Sequence, residues 1–335
     1  MTTAAPRPAF GSVLTHEMAV ATYHDGAWSE FAVKPVAPIE LSPAAHVLHY
    51  SSTCFEGFKA FRHASGSIYT FRMDRHIQRM RQSARHLVLP EPDAGQLAEM
   101  VRAVIRRCHD EVPEAPGALY LRPLLIGTMA NIGAAATPSA DAVLLVLASP
   151  VWDYFAGGMK PLRIVVDDVN TRCAAHLGMV KTGGNYAAAM GPTLAARQKY
   201  RADQVLFCPG GQVQETGAAN FVMFREGRLL TRGLDSSFLH GVTRDSLLTI
   251  ARDSGLEVVE RVFDVAEMLD WARSGEAALS GTAAVLTGVG TLIYRDADIP
   301  VGSGEVGPVT RDLRSRLVAI QSGEAPDRHG WLEKV

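Results

Sequence analysis

The spacing of apolar residues changes along the chain, and each change predicts a different element. Residues 11–73 alternate apolar and polar positions in short runs separated by turns such as Asp25-Gly26, which indicates strands. From Asp74 the apolar residues recur at helical intervals, and the pattern stops before Pro90. The apolar face of this predicted helix consists of Ile77, Met80, Ala84 and Leu87.

A second helix and two longer strands follow. The apolar face of the helix consists of Leu97, Met100, Val101, Val104, Ile105 and Cys108. Apolar runs at Leu119–Leu125 and Ala142–Ser149 predict strands. The first half is therefore expected to mix helix and sheet, with two neighbouring helices on a mostly antiparallel sheet.

A segment rich in proline and glycine, residues 150–161, separates the two halves of the chain. Such a composition is typical of a connection between domains, and Leu162 opens a new apolar run directly after it. We therefore predict a small N-terminal domain over residues 1–150, an interdomain loop over 151–161 and a large C-terminal domain over 162–335.

The second half contains further strand and helix patterns. Strands are predicted at Gln204–Cys208, Asn220–Arg225 and Arg228–Thr231. A helix is predicted after Thr243, a residue type that caps helices well, and Gly255 suits the position after its last turn. The apolar stripe of a last helix consists of Val309, Leu313, Leu317 and Ile320.

Composition and charge narrow the class of protein. The chain has 335 residues, of which 47% are hydrophobic, and this is enough to fill real cores. Its 33 basic and 35 acidic residues are spread without blocks of like charge, so neither a nucleic-acid-binding surface nor a membrane-binding surface is indicated. The expected partners are small molecules.

The cysteines and the N-terminal residues favour a cytoplasmic protein. The four cysteines are far apart and have no CxxC spacing, which argues against a zinc site or a disulfide framework and predicts buried free thiols. No metal is expected. Residues 1–10 lack the apolar core of a signal peptide, and the run Ala142–Ala148 is far shorter than the ~20 residues that span a bilayer.

One lysine has neighbours that suit covalent chemistry. Lys181 begins the segment KTGGNY, whose glycines let the backbone come close to another group. A lysine beside glycines is usually a solvated loop residue, so a functional role depends on what else the sequence offers. A lysine amine attacks an aldehyde when burial or a neighbouring cation favours its neutral form.

Two loops and an arginine are candidates for binding a phosphate group. The segment HGVT at 240–243 lies at a predicted helix start, where unpaired N–H groups attract anions. The segment SGTAA at 280–284 follows a predicted strand and is also made of small residues. Arg72 could bind a phosphate through two nitrogens. Each has an ordinary alternative, namely an N-cap, a turn and a surface arginine.

Polar residues in strands complete the set of candidates. Glu215 either faces water or holds a pyridine nitrogen in its protonated form, because a nearby anion favours the charged state of a base. A protonated ring accepts the electrons left when a substrate loses its α-proton. Tyr120 and Arg122 share one face of a strand, and the arginine makes a carboxylate site more credible than a core tyrosine alone does.

Together these segments resemble the branched-chain aminotransferase family, which belongs to the fold type IV class of pyridoxal-phosphate enzymes. The likeness extends from about Phe10 to the C-terminus, and the matching segments occur in the family's order. They are LHYSSTCFEGFKAF at 48–61, LYLRPLLIG at 119–127, KTGGNY at 181–186, ETGAANF at 215–221, LHGVTRDSLL at 239–248 and SGTAA at 280–284.

The resemblance implies an α/β fold of the α+β kind, with a small N-terminal α+β domain and a larger C-terminal β-rich pseudo-barrel domain with helices. It implies pyridoxal 5'-phosphate as cofactor, with Lys181 as the Schiff-base lysine and as the base that moves the proton. Glu215 would pair with the pyridine nitrogen, and Tyr186 would hydrogen-bond the phenolic oxygen. The phosphate would be held by Arg72, Val242, Thr243 and Thr282.

The resemblance further implies transamination of L-leucine, L-isoleucine or L-valine with 2-oxoglutarate, which gives 2-oxo acids and L-glutamate. The substrate pocket would lie at the domain interface. It would be lined by Tyr50, Phe55, Tyr120, Arg122 and Tyr154, with the backbone N–H groups of Thr282 and Ala283 at the α-carboxylate. A homodimer or a higher oligomer is expected, with the partner contributing to each pocket.

The sequence departs from the family's pattern at two places, of which the first keeps its N–H donors and the second leaves the substrate open. His240 stands where many members have proline, and Ala218-Ala219 replaces bulkier or acidic residues. The alternatives on the same fold are a D-amino-acid aminotransferase, an amine transaminase acting on (R)-amines and an aminodeoxychorismate lyase. The alternative from another class is a binding protein that only holds a nucleotide or phosphate. Neither a G-x-G-x-x-G nor a G-x-x-x-x-G-K-[ST] motif lies between a predicted strand and a predicted helix to support it.

Overall fold

The computed structural model describes residues 8–152 and 159–335, and these residues form two compact units. The first unit consists of residues 8–152, Lys181–Gly183 and Gln321–Val335, and the second consists of residues 159–180 and Gly184–Ile320. Neither unit is one continuous stretch of chain. Tyr154 lies outside the described residues, and the domain boundaries drawn around residues 151–161 stay a prediction.

The first unit contains a nine-stranded sheet. Its strands are β1 (Glu17–His24), β2 (Ala27–Trp28), β3 (Ala32–Pro35), β4 (Thr53–Phe55), β5 (Phe58–Arg62), β6 (Ile68–Phe71), β7 (Ala118–Gly127), β8 (Ala142–Val151) and β17 (Leu332–Lys334). The order is β17-β6-β5-β7-β8-β1-β2, with β3 on β1 and β4 on β7, and all pairs are antiparallel. The two strands expected near residues 120 and 145 are β7 and β8, which pair along their whole lengths.

The helices of the first unit are α1 (His46–Tyr50), α2 (Met73–His86) and α3 (Ala94–Arg107). The apolar faces of α2 and α3 belong to one core with the buried side chains of the sheet, as their spacing predicted. Asp93 begins α3, since its carboxylate accepts the N–H of Gln96 at 2.8 Å. The two predicted helices are therefore confirmed.

The second unit contains an eight-stranded mixed sheet. Its strands are β9 (Leu162–Asp167), β10 (Gln204–Phe207), β11 (Asn220–Arg225), β12 (Arg228–Thr231), β13 (Glu257–Glu260), β14 (Glu276–Gly281), β15 (Val285–Tyr294) and β16 (Ala297–Pro300). The order is β10-β9-β15-β14-β11-β12-β13, with β16 on β15. The pairs β10/β9, β9/β15 and β12/β13 are parallel, and the other pairs are antiparallel.

The helices of the second unit are α4 (Gly183–Tyr200), α5 (Val242–Asp253), α6 (Val265–Ala272) and α7 (Pro308–Gln321), although the end residues Gly183 and Gln321 belong to the first unit. The start of α7 is fixed by Glu276 of β14, whose carboxylate accepts the N–H groups of Val309 at 2.9 Å and Thr310 at 2.8 Å. A carboxylate at this end also complements the helix dipole. The last predicted helix is thus confirmed and is tied to the sheet.

The predicted start of α5 is wrong by two residues. Gly241 is the N-cap residue with extended φ −67° and ψ 126°, and Thr243 lies within the first turn with a buried side chain. Position 241 requires glycine, because a Cβ atom there would lie 2.0 Å from Asn220 Oδ1. The predicted end is confirmed, since Gly255 has φ +83° directly after the last turn.

The cysteine prediction is confirmed, because all four thiols are free and buried. Burial raises the pKa of Cys54 and Cys208 far above the ordinary thiol value. Among residues 8–152 and 159–335, no helix is both long and apolar enough to cross a membrane.

Candidate active site

The backbone of Lys181 is fixed by two elements of the first unit. Its N–H donates to Ser83 Oγ of α2 at 3.0 Å, and its carbonyl oxygen accepts the N–H of Phe55 of β4 at 3.0 Å. The next residue, Thr182, donates its hydroxyl to the carbonyl oxygen of Thr53 at 2.7 Å. The position of the lysine is therefore set by β4 and α2.

The side chain of Lys181 lies beside residues expected to contact substrate. Its Nζ is 4.9 Å from the centre of the Phe55 ring, and Arg122 Cζ is 4.7 Å from the centre of the same ring. Arg122 Nη2 donates to the Tyr120 hydroxyl at 3.0 Å, so these two residues share one face of β7 as predicted. Arg122 Nε is buried without a hydrogen-bond partner among the described residues. An amine, an aromatic ring and a cation thus lie together.

Two other candidates of the first unit have their own surroundings. Tyr50 ends α1, and its hydroxyl donates to the carbonyl oxygen of Ile132. Arg72 immediately precedes α2 in a left-handed conformation with φ 56°, and its guanidinium lies over the Trp331 ring at 5.1 Å. Its side chain is largely buried, so Arg72 is not an ordinary surface arginine.

Sequence reasoning missed a buried charged cluster next to Phe55. Glu56 is completely buried and accepts from Arg79 Nε at 2.6 Å and from Arg79 Nη2 at 2.9 Å. His76 Nδ1 lies 2.7 Å from Glu56 Oε2. Burial alone would raise the pKa of Glu56, but the Arg79 charge and the hydrogen bonds hold it well below its usual range. Burial lowers the pKa of His76, which favours its neutral form.

In the second unit, Glu215 is buried in a shell of hydrogen-bond donors. Arg172 Nη1 lies 2.7 Å from Glu215 Oε1, and both side chains are almost completely buried. The same oxygen accepts the N–H of Leu239 at 2.8 Å, and Oε2 accepts from the side-chain amide of Asn220 at 3.2 Å. The carboxylate therefore does not face water, and its negative charge is stabilised by a fixed cation.

Tyr186 lies near the same cation. It is in the first turn of α4, and Arg172 Cζ is 5.8 Å from the centre of its ring. The structure thus brings Tyr186 and Glu215 together around Arg172, a residue that sequence reasoning missed. No local pattern distinguishes Arg172 from a surface arginine, because its partner follows more than forty positions later in the sequence.

The candidate phosphate site of the second unit lies at the start of α5. No side chain among the described residues caps this helix, so the N–H groups of Val242 and Thr243 remain for an anion. Asn220 connects this region to Glu215, since its amide also donates to the carbonyl oxygen of Leu239 at 2.8 Å.

A turn of small residues lies on the neighbouring strand. Thr282 and Ala283 are in the turn that joins β14 to β15, and β14 pairs with β11 at Ser280 and Asn220. The Ser280 hydroxyl is buried and has no hydrogen-bond partner within the described part of the chain. The Ser280 hydroxyl and the N–H groups at the start of α5 are donors without a partner in the described ranges, so this place suits a ligand rich in acceptor atoms.

Comparison with known proteins identifies the family. The model of the class IV amino-transferases matches residues 53–291. A branched-chain-amino-acid aminotransferase of Mycolicibacterium smegmatis is 39% identical, with 98% of this chain and 92% of that protein covered. The chain belongs to the branched-chain aminotransferase family. A probable branched-chain-amino-acid aminotransferase of Streptomyces coelicolor is 38% identical over the same shares of the two chains.

The fold of this aminotransferase agrees with a solved structure. The branched-chain amino acid aminotransferase from Escherichia coli is 27% identical and superimposes with a TM-score of 0.74. The match covers 94% of this chain and 98% of that chain. The expected fold type IV architecture is therefore confirmed.

The residues of the aminotransferase fit pyridoxal 5'-phosphate. Lys181 has its amine beside an aromatic ring, and Glu215 has a buried carboxylate that would suit a protonated pyridine nitrogen. The uncapped start of α5 provides N–H groups for a phosphate. Each of these features matches one chemical group of the cofactor.

Proposed function

We propose that this aminotransferase moves the amino group of L-leucine, L-isoleucine or L-valine to 2-oxoglutarate, giving 2-oxo acids and L-glutamate. The observation that carries the proposal is the Phe55 ring, with Lys181 Nζ at 4.9 Å and Arg122 Cζ at 4.7 Å from its centre. An aromatic ring accommodates an apolar side chain, and an arginine accommodates the second carboxylate of glutamate. One pocket can thus accept both substrates.

Lys181 would bind the cofactor covalently, and its amine would move the proton at the substrate α-carbon. Pyridoxal phosphate, when bound, supplies the electron sink that makes this α-proton removable. Glu215 would pair with the pyridine nitrogen, and the Arg172 guanidinium, with Nη1 at 2.7 Å from Glu215 Oε1, supplies the opposite charge beside the carboxylate. Tyr186 would donate to the phenolic oxygen of the cofactor.

The remaining roles concern orientation. The cofactor phosphate would be held by Arg72, by the start of α5 and by Thr282, which would fix one end of the cofactor. The phosphate-binding residues are Arg72, Val242, Thr243 and Thr282. The substrate-binding residues are Tyr50, Phe55, Tyr120, Arg122 and Tyr154, with the N–H groups of Thr282 and Ala283 at the α-carboxylate.

The enzyme is proposed to be a cytoplasmic homodimer. The free state of all four cysteines supports a reducing compartment, since thiols persist there. Light scattering on the purified chain gives the mass in solution. A mass twice the 36.1 kDa of one chain supports the dimer, whereas the mass of one chain overturns it.

The function is tested by visible absorption spectroscopy of the purified enzyme with L-leucine and no 2-oxo acid. We expect the yellow band of bound pyridoxal phosphate to disappear as the pyridoxamine form accumulates. Bleaching only by D-alanine or by an aromatic (R)-amine would contradict the substrate assignment. A colourless protein that stays colourless with added pyridoxal phosphate would contradict the whole proposal.

A matched pair of variants tests the role of Lys181. Lys181→Ala is expected to abolish turnover, because Lys181 supplies the amine at the Phe55 ring. Lys199→Ala is the control, since Lys199 is an exposed lysine that pairs with Asp296. Turnover with L-leucine and 2-oxoglutarate is measured for both. Activity of the Lys181 variant near that of the control overturns the assignment.

A further inference from the structure

The first unit contains a buried ion pair and a buried histidine for which the proposed reaction has no use. Glu56 and His76 are almost inaccessible, and Arg79 is buried with them. Glu56 uses both carboxylate oxygens, one bound to Arg79 Nε at 2.6 Å and the other shared by Arg79 Nη2 and His76. The His76 ring also stacks on Phe58 at 5.0 Å. We call Glu56, His76 and Arg79 the buried triad.

Stability alone does not account for the buried triad. Burying charges costs solvation free energy, and apolar residues of similar volume commonly replace such groups without loss of stability. The core around the triad is already apolar. Conformational specificity is a better explanation, because a salt bridge with two nitrogens on one carboxylate fixes distance and orientation.

The triad joins the two elements that hold Lys181. Glu56 immediately follows Phe55, the residue whose N–H donates to the Lys181 carbonyl oxygen. His76 and Arg79 belong to α2, as does Ser83, whose hydroxyl accepts the Lys181 N–H. A change in the distance between Glu56 and α2 would therefore strain at least one of the two hydrogen bonds to the lysine backbone.

The end of β4 is fixed from a second side as well. The backbone N–H of Glu56 donates to the carbonyl oxygen of Pro123 on β7 at 2.9 Å. The next position admits no side chain, since a Cβ atom on Gly57 would lie 1.9 Å from the Tyr120 hydroxyl. With the backbone of this segment held by β7, the carboxylate of Glu56 is the group that connects it to α2.

We propose that the buried triad of Glu56, His76 and Arg79 consists of positioning residues that hold the reactive amine of Lys181 at its working place. The inference rests on the proposed function, because it takes Lys181 as the reactive amine. Positioning errors of about 1 Å can lower a reaction rate about 100-fold. The triad thus acts on the rate through the backbone of Phe55 and Lys181, without contacting substrate.

The test compares Glu56→Gln with Glu99→Gln, both as holoenzyme. Glu56→Gln keeps the shape of the side chain but removes the charge that holds Arg79. Glu99 is a partly exposed carboxylate on α3 that pairs with Arg106, so its variant controls for loss of an ion pair. For each protein, amide hydrogen exchange is measured at Phe55 and Lys181, together with kcat and KM for L-leucine.

We expect Glu56→Gln to raise the exchange rate of both amides at least about tenfold and to lower kcat about 100-fold, with a smaller change in KM. Glu99→Gln should change neither quantity. Unchanged amide exchange in Glu56→Gln, together with a kcat close to that of the wild type, would overturn the inference.

A double variant provides the same test if Glu56→Gln alone does not fold. Glu56→Gln combined with Arg79→Met leaves no unpaired buried charge and is expected to fold. If the triad positions Lys181, the double variant folds but retains the fast amide exchange and the low kcat. Recovery of wild-type exchange and kcat in the double variant overturns the inference.

Failure of the proposed function is recognised separately. The wild-type protein is treated with pyridoxal phosphate and borohydride, and the modified residue is identified by mass spectrometry. Absence of the label from wild-type Lys181 contradicts the proposed function itself. Labelled wild-type Lys181 together with an unaffected Glu56→Gln variant contradicts only the positioning role.

Discussion

Each unit of this aminotransferase contains a buried carboxylate paired with a buried arginine, Glu56 with Arg79 and Glu215 with Arg172. The two pairs differ in the origin of their other donors. His76, the additional partner of Glu56, lies one helical turn from Arg79 on α2. The additional partners of Glu215 are the backbone of Leu239 and the amide of Asn220, which come from separate segments.

The difference indicates that the same carboxylate–arginine pair can have two roles, depending on where its other partners come from. Partners on a single helix make a rigid connection between that helix and a strand, and this suits the positioning of another residue. Partners on separate segments instead gather loops around the carboxylate, and this suits a residue that meets the cofactor itself. Glu215 is therefore expected to hold the loops of Leu239 and Asn220 around itself. Glu56 is expected to affect the position of Lys181 through the backbone, without contacting its side chain.

The largest expected change in the free energy of unfolding concerns the ion pair between Arg172 and Glu215 in the second unit. Arg172→Met leaves Glu215 buried without its cation and is expected to lower the free energy of unfolding by about 3–5 kcal/mol. Adding Glu215→Gln should recover most of this loss, while turnover stays low because the carboxylate is gone. Urea denaturation of both variants measures the free energies. Loss of an exposed ion pair lowers the free energy of unfolding by less than about 1 kcal/mol. A loss this small in Arg172→Met would therefore contradict a buried ion pair between Arg172 and Glu215.

An intermediate effect is expected at Gly241. Gly241→Ala puts a Cβ atom 2.0 Å from Asn220 Oδ1, which displaces an amide that donates to Glu215. We expect a loss of about 1–3 kcal/mol in the free energy of unfolding and weaker binding of pyridoxal phosphate. Gly133→Ala is the control, because Gly133 is exposed and a Cβ atom there would meet only Asn131 Oδ1, at the ordinary contact distance of 3.4 Å. Equal stability of the two variants would contradict the close contact.

The smallest expected effect depends on pH and concerns the first unit. His76 has a lowered pKa in the folded protein, so below its ordinary value of 6.5 the unfolded chain binds the proton first. Its contribution to stability is present above pH 6.5 and is lost as pH falls towards the folded pKa, by at most about 1.4 kcal/mol per pH unit. Glu56 adds a similar loss only below its ordinary value of 4.5.

The measurement is urea denaturation of the wild type and of His76→Gln between pH 7 and pH 5. The glutamine donates to Glu56 without titrating, so the variant should lose less stability over this range. Identical pH dependence of the two proteins would mean that His76 is not held neutral by burial. Other histidines, such as His24, whose pKa is raised by its hydrogen bond to Asp141, contribute equally to both proteins.

Elements with a clear apolar stripe were predictable from the sequence. The helices α2 and α3 were found because their buried residues recur at helical spacing. Helix α4 was not assigned, since alanines occupy both its buried and its exposed sides and Pro192 lies inside it. The start of α5 was misassigned because threonine is a common N-cap residue, whereas the N-cap here is Gly241, which has no side chain to cap the helix.

The candidate site was predictable only where a residue belongs to a recognisable segment. Lys181 and Glu215 were found within the segments KTGGNY and ETGAANF. Arg172 and the buried triad were not found, because a salt bridge between distant positions leaves no periodic pattern. Glu56 and Arg79 are 23 positions apart, and only the fold brings them together.

The route of the chain has a consequence for recombining this enzyme with its relatives. Lys181–Gly183 and Gln321–Val335 belong to the first unit although they follow residues of the second. A chimera that exchanges only residues 8–152 would pair β6 of one parent with β17 of the other and would hold one parent's lysine with the other's serine. A compatible exchange therefore has to carry three separate pieces of sequence as one inherited block.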